Sequence, residues 1–130
     1  MASLHVDIIT PEFVKFAGAA DSIQLPGLDG QFGVLKDHTP LVAMLSAGDA
    51  NIHVGQATQR VVIGKGFATV FENRVVCLVD AAVDVDEIKA PDVQAKINEI
   101  DRAHQEFGKL SESLQAEREF LQAQLHAVQR

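Results

Sequence analysis

The sequence predicts an α+β protein: an N-terminal antiparallel β-sandwich followed by a C-terminal antiparallel two-helix hairpin. Three observations carry this reading. Residues 1–86 hold 8 of the 9 Gly and 3 of the 4 Pro, whereas residues 109–130 hold neither. Gly and Pro punctuate turns, and their absence permits an uninterrupted helix. Between its turn residues the first part runs in short alternating or apolar segments, while the second repeats apolar residues at steps of three and four.

Each element follows from its own residues. Leu4, Val6 and Ile8 alternate with His5, Asp7 and Ile9 until Thr10-Pro11 stops the run. Ser22 to Leu25 alternates again and ends at Pro26-Gly27. Leu41–Leu45 is apolar after Pro40, Asn51–Val54 stops at Gly55, and Gln59–Ile63 stops at Gly64. Phe67–Phe71 and Arg74–Val79 flank Glu72-Asn73, which reads as a hairpin turn. Strands of this length at this spacing make a sandwich or barrel, and no helices alternate with them as a doubly wound parallel sheet requires. Beyond Val85 the pattern changes. Pro91 and Asp92 suit a first helical turn. Val93, Ile97, Ile100, His104 and Phe107 form one stripe; Leu110, Leu114, Leu121, Leu125 and Val128 form a second, with Gly108 between them. Two stripes with a short break predict helices folded back on each other. The expected division is residues 1–86 and 87–130.

Composition narrows the function. The chain of 130 residues has 11 basic and 18 acidic side chains, a formal charge of −7, with no Trp and no Tyr. It lacks the basic field and most stacking rings of a nucleic-acid binder. One Cys makes no internal disulfide, which points to a reducing compartment. No run reaches the roughly 18 apolar residues of a membrane span, and no secretory signal opens the chain. The acidity is uneven: residues 1–86 carry 10 acids and 5 bases, the remainder 8 and 6.

Candidate chemistry is sparse. His5, His38, His53, His104 and His126 stand at no metal-ligand spacing. Cys77 lies in an apolar run, where a thiol is structural. Gly64-Lys65-Gly66 lacks the spacing of a phosphate loop and reads as a tight turn. Asp80, Asp84, Asp86 and Glu87 read as a solvated linker. No nucleophile, base and orienting group fall into a known pattern, so the chain reads as no enzyme by itself.

Three segments together resemble the epsilon subunit of the rotary F-type ATP synthase. They are Leu4–Glu12 with its Thr-Pro turn, Gly30-Gln31-Phe32-Gly33-Val34-Leu35-Lys36-Asp37-His38-Thr39-Pro40-Leu41, and Gly64–Val70 followed by Arg74–Asp80. The second is the most specific, and the order of strand domain, acidic junction and helices matches along the whole chain. The resemblance implies two five-stranded sheets, about ten strands in all. It also implies a non-catalytic rotor subunit that couples proton flow to ATP synthesis. Its partners would be the gamma subunit, the ring of c subunits and, transiently, the alpha/beta catalytic head, where a risen hairpin slows ATP hydrolysis. It would lie peripherally at the cytoplasmic face of the inner membrane, or the stromal face of the thylakoid, with no direct membrane insertion.

Carried over by motif, Asp29, Gly30, Gln31 and Phe32 form the ring-facing loop, with His38 beside it. Gln31 replaces the family's Glu, and Lys36-Asp37 its Pro-Gly, so a turn is made there without Gly. The resemblance makes Gly108 the hairpin hinge, with Val93, Ile97, Ile100, Leu114, Leu121 and Leu125 as the seam. Lys109, Arg118 and Arg130 become candidates for catalytic-head contact. No cofactor is expected: the ATP-binding motif of some members has Arg where Ala90–Ala95 carries Gln94, and Ile100-Asp101-Arg102-Ala103 has the wrong spacing. The alternatives are an ATP-sensing module and an unrelated sandwich scaffold with a coiled-coil dimerisation arm.

Overall fold

The computed structural model describes residues 4–129. Ten strands lead into two helices: β1 Leu4–Ile9, β2 Val14–Ala20, β3 Ser22–Gly27, β4 Gly30–Val34, β5 Leu41–Leu45, β6 Gly48–Val54, β7 Ala57–Ile63, β8 Gly66–Phe71, β9 Arg74–Val79, β10 Ala82–Asp84, α1 Ala90–Phe107 and α2 Glu112–Val128. A single 3-10 turn, Val85–Glu87, joins the two parts.

Two five-stranded sheets make the sandwich. In the first, β10, β7, β6, β3 and β4 are neighbours in that order; in the second, β5, β8, β9, β1 and β2. The sheets meet where Gly27 bridges Leu45. All pairs are antiparallel except β1 with β9. The alternation seen in the sequence places one face of each strand in a common core. Val6, Ile8, Ile23, Leu25, Ile52, Val61, Ile63, Val75 and Cys77 are fully buried there. Glu72 and Asn73 both take positive φ, 48° and 64°, which is the two-residue turn that matches strand twist.

Three strands have weak local patterns. β2 reads Val-Lys-Phe-Ala-Gly-Ala-Ala, β4 begins inside the motif read as a loop, and β10 has three residues. Pairing with stronger neighbours makes them strands: β2 lies along β1, β4 along β3 and β10 along β7. β6 also begins three residues earlier than its apolar run, at Gly48.

Lys89 precedes α1, which carries Pro91 in its first turn and stops at Gly108 (φ 85°). That positive φ is readily available only to Gly, so the helix ends there. Ser111 caps α2 by accepting from the Leu114 N–H at 3.2 Å. Val93, Ile97, Ile100 and Leu121 are buried between the helices, with Ile88, Leu110, Leu114 and Leu125 packed around them. The stripe on α1 ends at Ile100. His104 is exposed and Phe107 is 82% exposed, although the helices still meet beyond Ile100. α2 is the helix that lies on the sandwich, against β6 and β7, and α1 packs on α2.

Candidate functional site

The outer faces of the two sheets differ. That of the first sheet carries α2 over β6 and β7. That of the second lies open, and the side chains of its central row are apolar. Register aligns them in rows across the strands. Met44, Phe67, Leu78 and Ile9 stand side by side on β5, β8, β9 and β1, and exposed Val14 continues the row past a bulge in β2. Val42, Thr69, Val76 and Asp7 form the next row. Val42 is 72% exposed, Met44 61%, Leu78 40% and Phe67 39%. Large contiguous apolar patches are unusual on a lone protein and mark partner surfaces. A groove of about 470 Å³ runs along the same face, lined by Ile9, Pro11, Phe67 and Leu78 among others.

One ion pair sits within this face. Asp7 is buried, and its carboxylate accepts from Arg74 Nη2 at 2.9 Å and lies 3.2 Å from His5 Nε2. Behind it, burial first and the Asp7 charge second push the Cys77 thiol up to about 12, so it stays protonated and unreactive.

The motif residues occupy two separate places. Leu28-Asp29 is the turn between β3 and β4, and Gly30, Gln31 and Phe32 are the first residues of β4 rather than a loop. Asp29, Gly30 and Gln31 are exposed, and Phe32 packs partly on the core. His38 is not beside them. β4 is five extended residues, about 14 Å at strand rise, and His38 follows its far end. There it neighbours the β8–β9 turn. The Asp37 N–H donates to Asn73 Oδ1 at 2.7 Å, and Asp37 itself holds the positive φ, 63°, that the missing Gly would have taken. His38 Nδ1 contacts the Thr39 carbonyl oxygen at 2.7 Å.

The helical candidates also part company. Gly108 lies at the hairpin tip, followed by exposed Lys109. Arg118 does not stand free: its guanidinium donates to both Asp101 oxygens, at 2.7 and 3.3 Å, across the hairpin. This pairing lowers the Asp101 pKa and raises that of Arg118. Arg130 lies outside the described residues. Gln94 donates to Asn98 Oδ1 at 3.1 Å along α1.

The acidic junction is not a free linker. Lys15 on β2 reaches Asp84 Oδ2 at 3.1 Å and Glu87 Oε1 at 2.6 Å. Burial alone would lower the Lys15 pKa, but its two carboxylate partners outweigh it and hold the pKa above its usual value. Sequence spacing carried no sign of this, since the partners are some 70 residues apart in the chain. Among the described residues no three His, Cys, Asp or Glu side chains converge as a metal site would need, and no helix is long and apolar enough to cross a membrane.

A sandwich with one open apolar sheet, a protruding β-hairpin tip and a folded helical arm has the surfaces of an assembly subunit, which works through contacts. Residues 3–85 match the family described as the beta-sandwich domain of the ATP synthase delta/epsilon chain. The ATP synthase epsilon chain of Rhodopseudomonas palustris (strain BisB5) is 38% identical over 97 residues, covering 75% of this chain and 72% of that one. The ATP synthase epsilon chain of Bradyrhizobium sp. (strain BTAi1) is 33% identical over 115 residues, covering 79% and 85%. Two solved structures share the fold. One is of the Euglena gracilis mitochondrial ATP synthase OSCP/F1/c-ring (TM-score 0.79, 20% identity, 100% of this chain and 83% of the matched one). The other is of the Tetrahymena thermophila mitochondrial ATP synthase central stalk and c-ring (TM-score 0.63, 14% identity, 97% and 96%). The chain belongs to the ATP synthase delta/epsilon chain family.

Proposed function

We propose that the chain is a non-catalytic rotor subunit of a proton-translocating F-type ATP synthase, peripheral to the membrane at its cytoplasmic face. The observation that carries this is the open row of Met44, Phe67, Leu78 and Ile9, an exposed contiguous apolar surface of the kind a partner covers. The gamma subunit is that neighbour, in keeping with the family and with the central-stalk assemblies that share the fold. The β3–β4 tip with Asp29, Gly30 and Gln31 faces the ring of c subunits, and Gln31 makes that contact without a charge.

The hairpin is the regulatory part. Its stripes are now satisfied by each other and by the sandwich, and another apolar surface could replace either partner at similar free energy. Risen, it would meet the alpha/beta head and slow ATP hydrolysis. Gln94 offers an amide where a phosphate-gripping Arg fork would be needed, so regulation proceeds without a bound nucleotide. The test is a chain ending at Glu87, reconstituted with the other subunits. It should still co-purify with gamma, and ATP hydrolysis should rise. Unchanged hydrolysis removes the regulatory part, and failure of the full-length chain to co-purify with gamma removes the rotor assignment.

A further inference from the structure

We propose that Arg60 is the latch that holds the hairpin down on the sandwich, with the chain just after Glu87 as the pivot. This rests on the reading above that the hairpin moves.

The seat of α2 is polar where the sandwich core is dry. Ala50 and Ile52 of β6 point into the core, so Asp49 and Asn51 point out, beneath α2; all four are buried. In register with them on β7, Val62 lies opposite Asp49 and Arg60 opposite Asn51. On α2, Leu121, Gln124 and Ala127 are buried, and of these only Leu121 belongs to the apolar cluster between the helices. The Asn51 side-chain oxygen is buried with no hydrogen-bond partner. An unpaired buried acceptor weakens a seat, so packing alone holds α2 poorly here.

Arg60 supplies what the packing lacks. Its Nη2 donates to the Ala127 carbonyl oxygen at 2.9 Å and to Asp49 Oδ2 at 3.0 Å. Ala127 is in the last turn of α2, where carbonyls have no donor from their own helix and the helix dipole is negative. A cation placed there from another part of the chain caps the helix and ties it down together. The geometry also permits release. If α2 lifts, Arg60 keeps Asp49, so no buried carboxylate is left alone. At the other end, Lys15 fastens Asp84 and Glu87 to β2, while Ile88 packs with the hairpin. The turning point therefore falls between Glu87 and Ile88, and Gly108 merely ends a helix at the far tip.

The test uses the full chain with spin labels at Gln56→Cys, in the exposed β6–β7 turn, and Gln115→Cys, near the hairpin tip. Buried Cys77 does not compete for label. Arg60→Gln should raise the ratio of long to short label distances by about tenfold or more, the scale of a lost charge-assisted hydrogen bond. Arg60→Lys should fall between. The pair Arg60→Gln/Asp49→Asn removes the carboxylate together with its guanidinium partner, so sheet damage is separated from release. A double variant whose distances match the unaltered chain overturns the latch. If distances lengthen while hydrolysis by the reconstituted complex stays constant, the latch stands and the regulatory reading falls.

Discussion

The open apolar sheet gives the sharpest test of how this chain is held in an assembly. Consider Met44→Ala with Phe67→Ala, two adjacent positions of the central row. Full burial of a large apolar side chain contributes roughly 1.5–3 kcal/mol. Phe67 has 39% of its surface still open and Met44 61%, so covering them yields about 1 and about 1.5 kcal/mol on that scale. Together that is about 2.5 kcal/mol, or roughly 60-fold in dissociation constant. The covered parts of both side chains also support the fold, so stability should fall by a similar amount and affinity is compared at a temperature where both chains are folded. The assay is calorimetric titration of the chain against the gamma subunit, with melting followed in parallel. Phe107→Ala is the control: that ring is more exposed than either, yet sits at the hairpin tip away from the sheet. A folded double variant that binds gamma as tightly as the unaltered chain refutes the assignment of this face. So does an equal loss from Phe107→Ala, since it would place gamma on the hairpin.

Two further outcomes test the framework around that surface. Gly66→Ala should cost about 3 kcal/mol or more in chemical denaturation, because the new methyl would stand inside contact distance of the Leu78 carbonyl oxygen, which is backbone and cannot yield. Normal stability would mean that β8 and β9 approach less closely than described. Asp101, held below its usual pKa by Arg118, adds stability that is full above its unfolded value near pH 4 and is lost as pH falls through the lower folded value. Protection of α1 amides, measured relative to their intrinsic exchange rates at each pH, should therefore fall below about pH 4 in the unaltered chain. Arg118→Gln should blunt that acid response, and an identical profile in both chains would count against the pair.

Legibility in the sequence tracked how local each signal was. β1, β9 and the Glu72-Asn73 turn were plain, because alternation and turn chemistry lie within a few residues. The helical stripes were plain for the same reason, except at His104 and Phe107, where the spacing continues but the side chains are exposed. β2 and β10 were invisible, since their order comes from the neighbours they pair with. The Gly30–Leu41 motif gave the family and misled on geometry: a five-residue strand separates Gln31 from His38, and a motif read as one string hides that distance. Ion pairs such as Lys15–Glu87 and Arg60–Asp49 follow from topology and could not be read from spacing.

The three buried or buriable surfaces of this chain differ in polarity, and that difference orders them by permanence. The sandwich core is apolar throughout and has no reason to open. The second sheet's outer face is nearly as apolar, with its single acid already paired to Arg74. Exposed to water it is costly, so a partner that covers it should stay. The seat of α2 mixes Val62 with Asp49, Asn51, Arg60 and Gln124. Such a surface tolerates water when uncovered, and the charged pair in it survives exposure intact. A permanent contact needs the first kind of surface and an exchangeable one needs the second. One small chain carries both, on opposite sides of the same core, which is the arrangement a rotor subunit needs if it is to stay fixed to its shaft while its arm changes place.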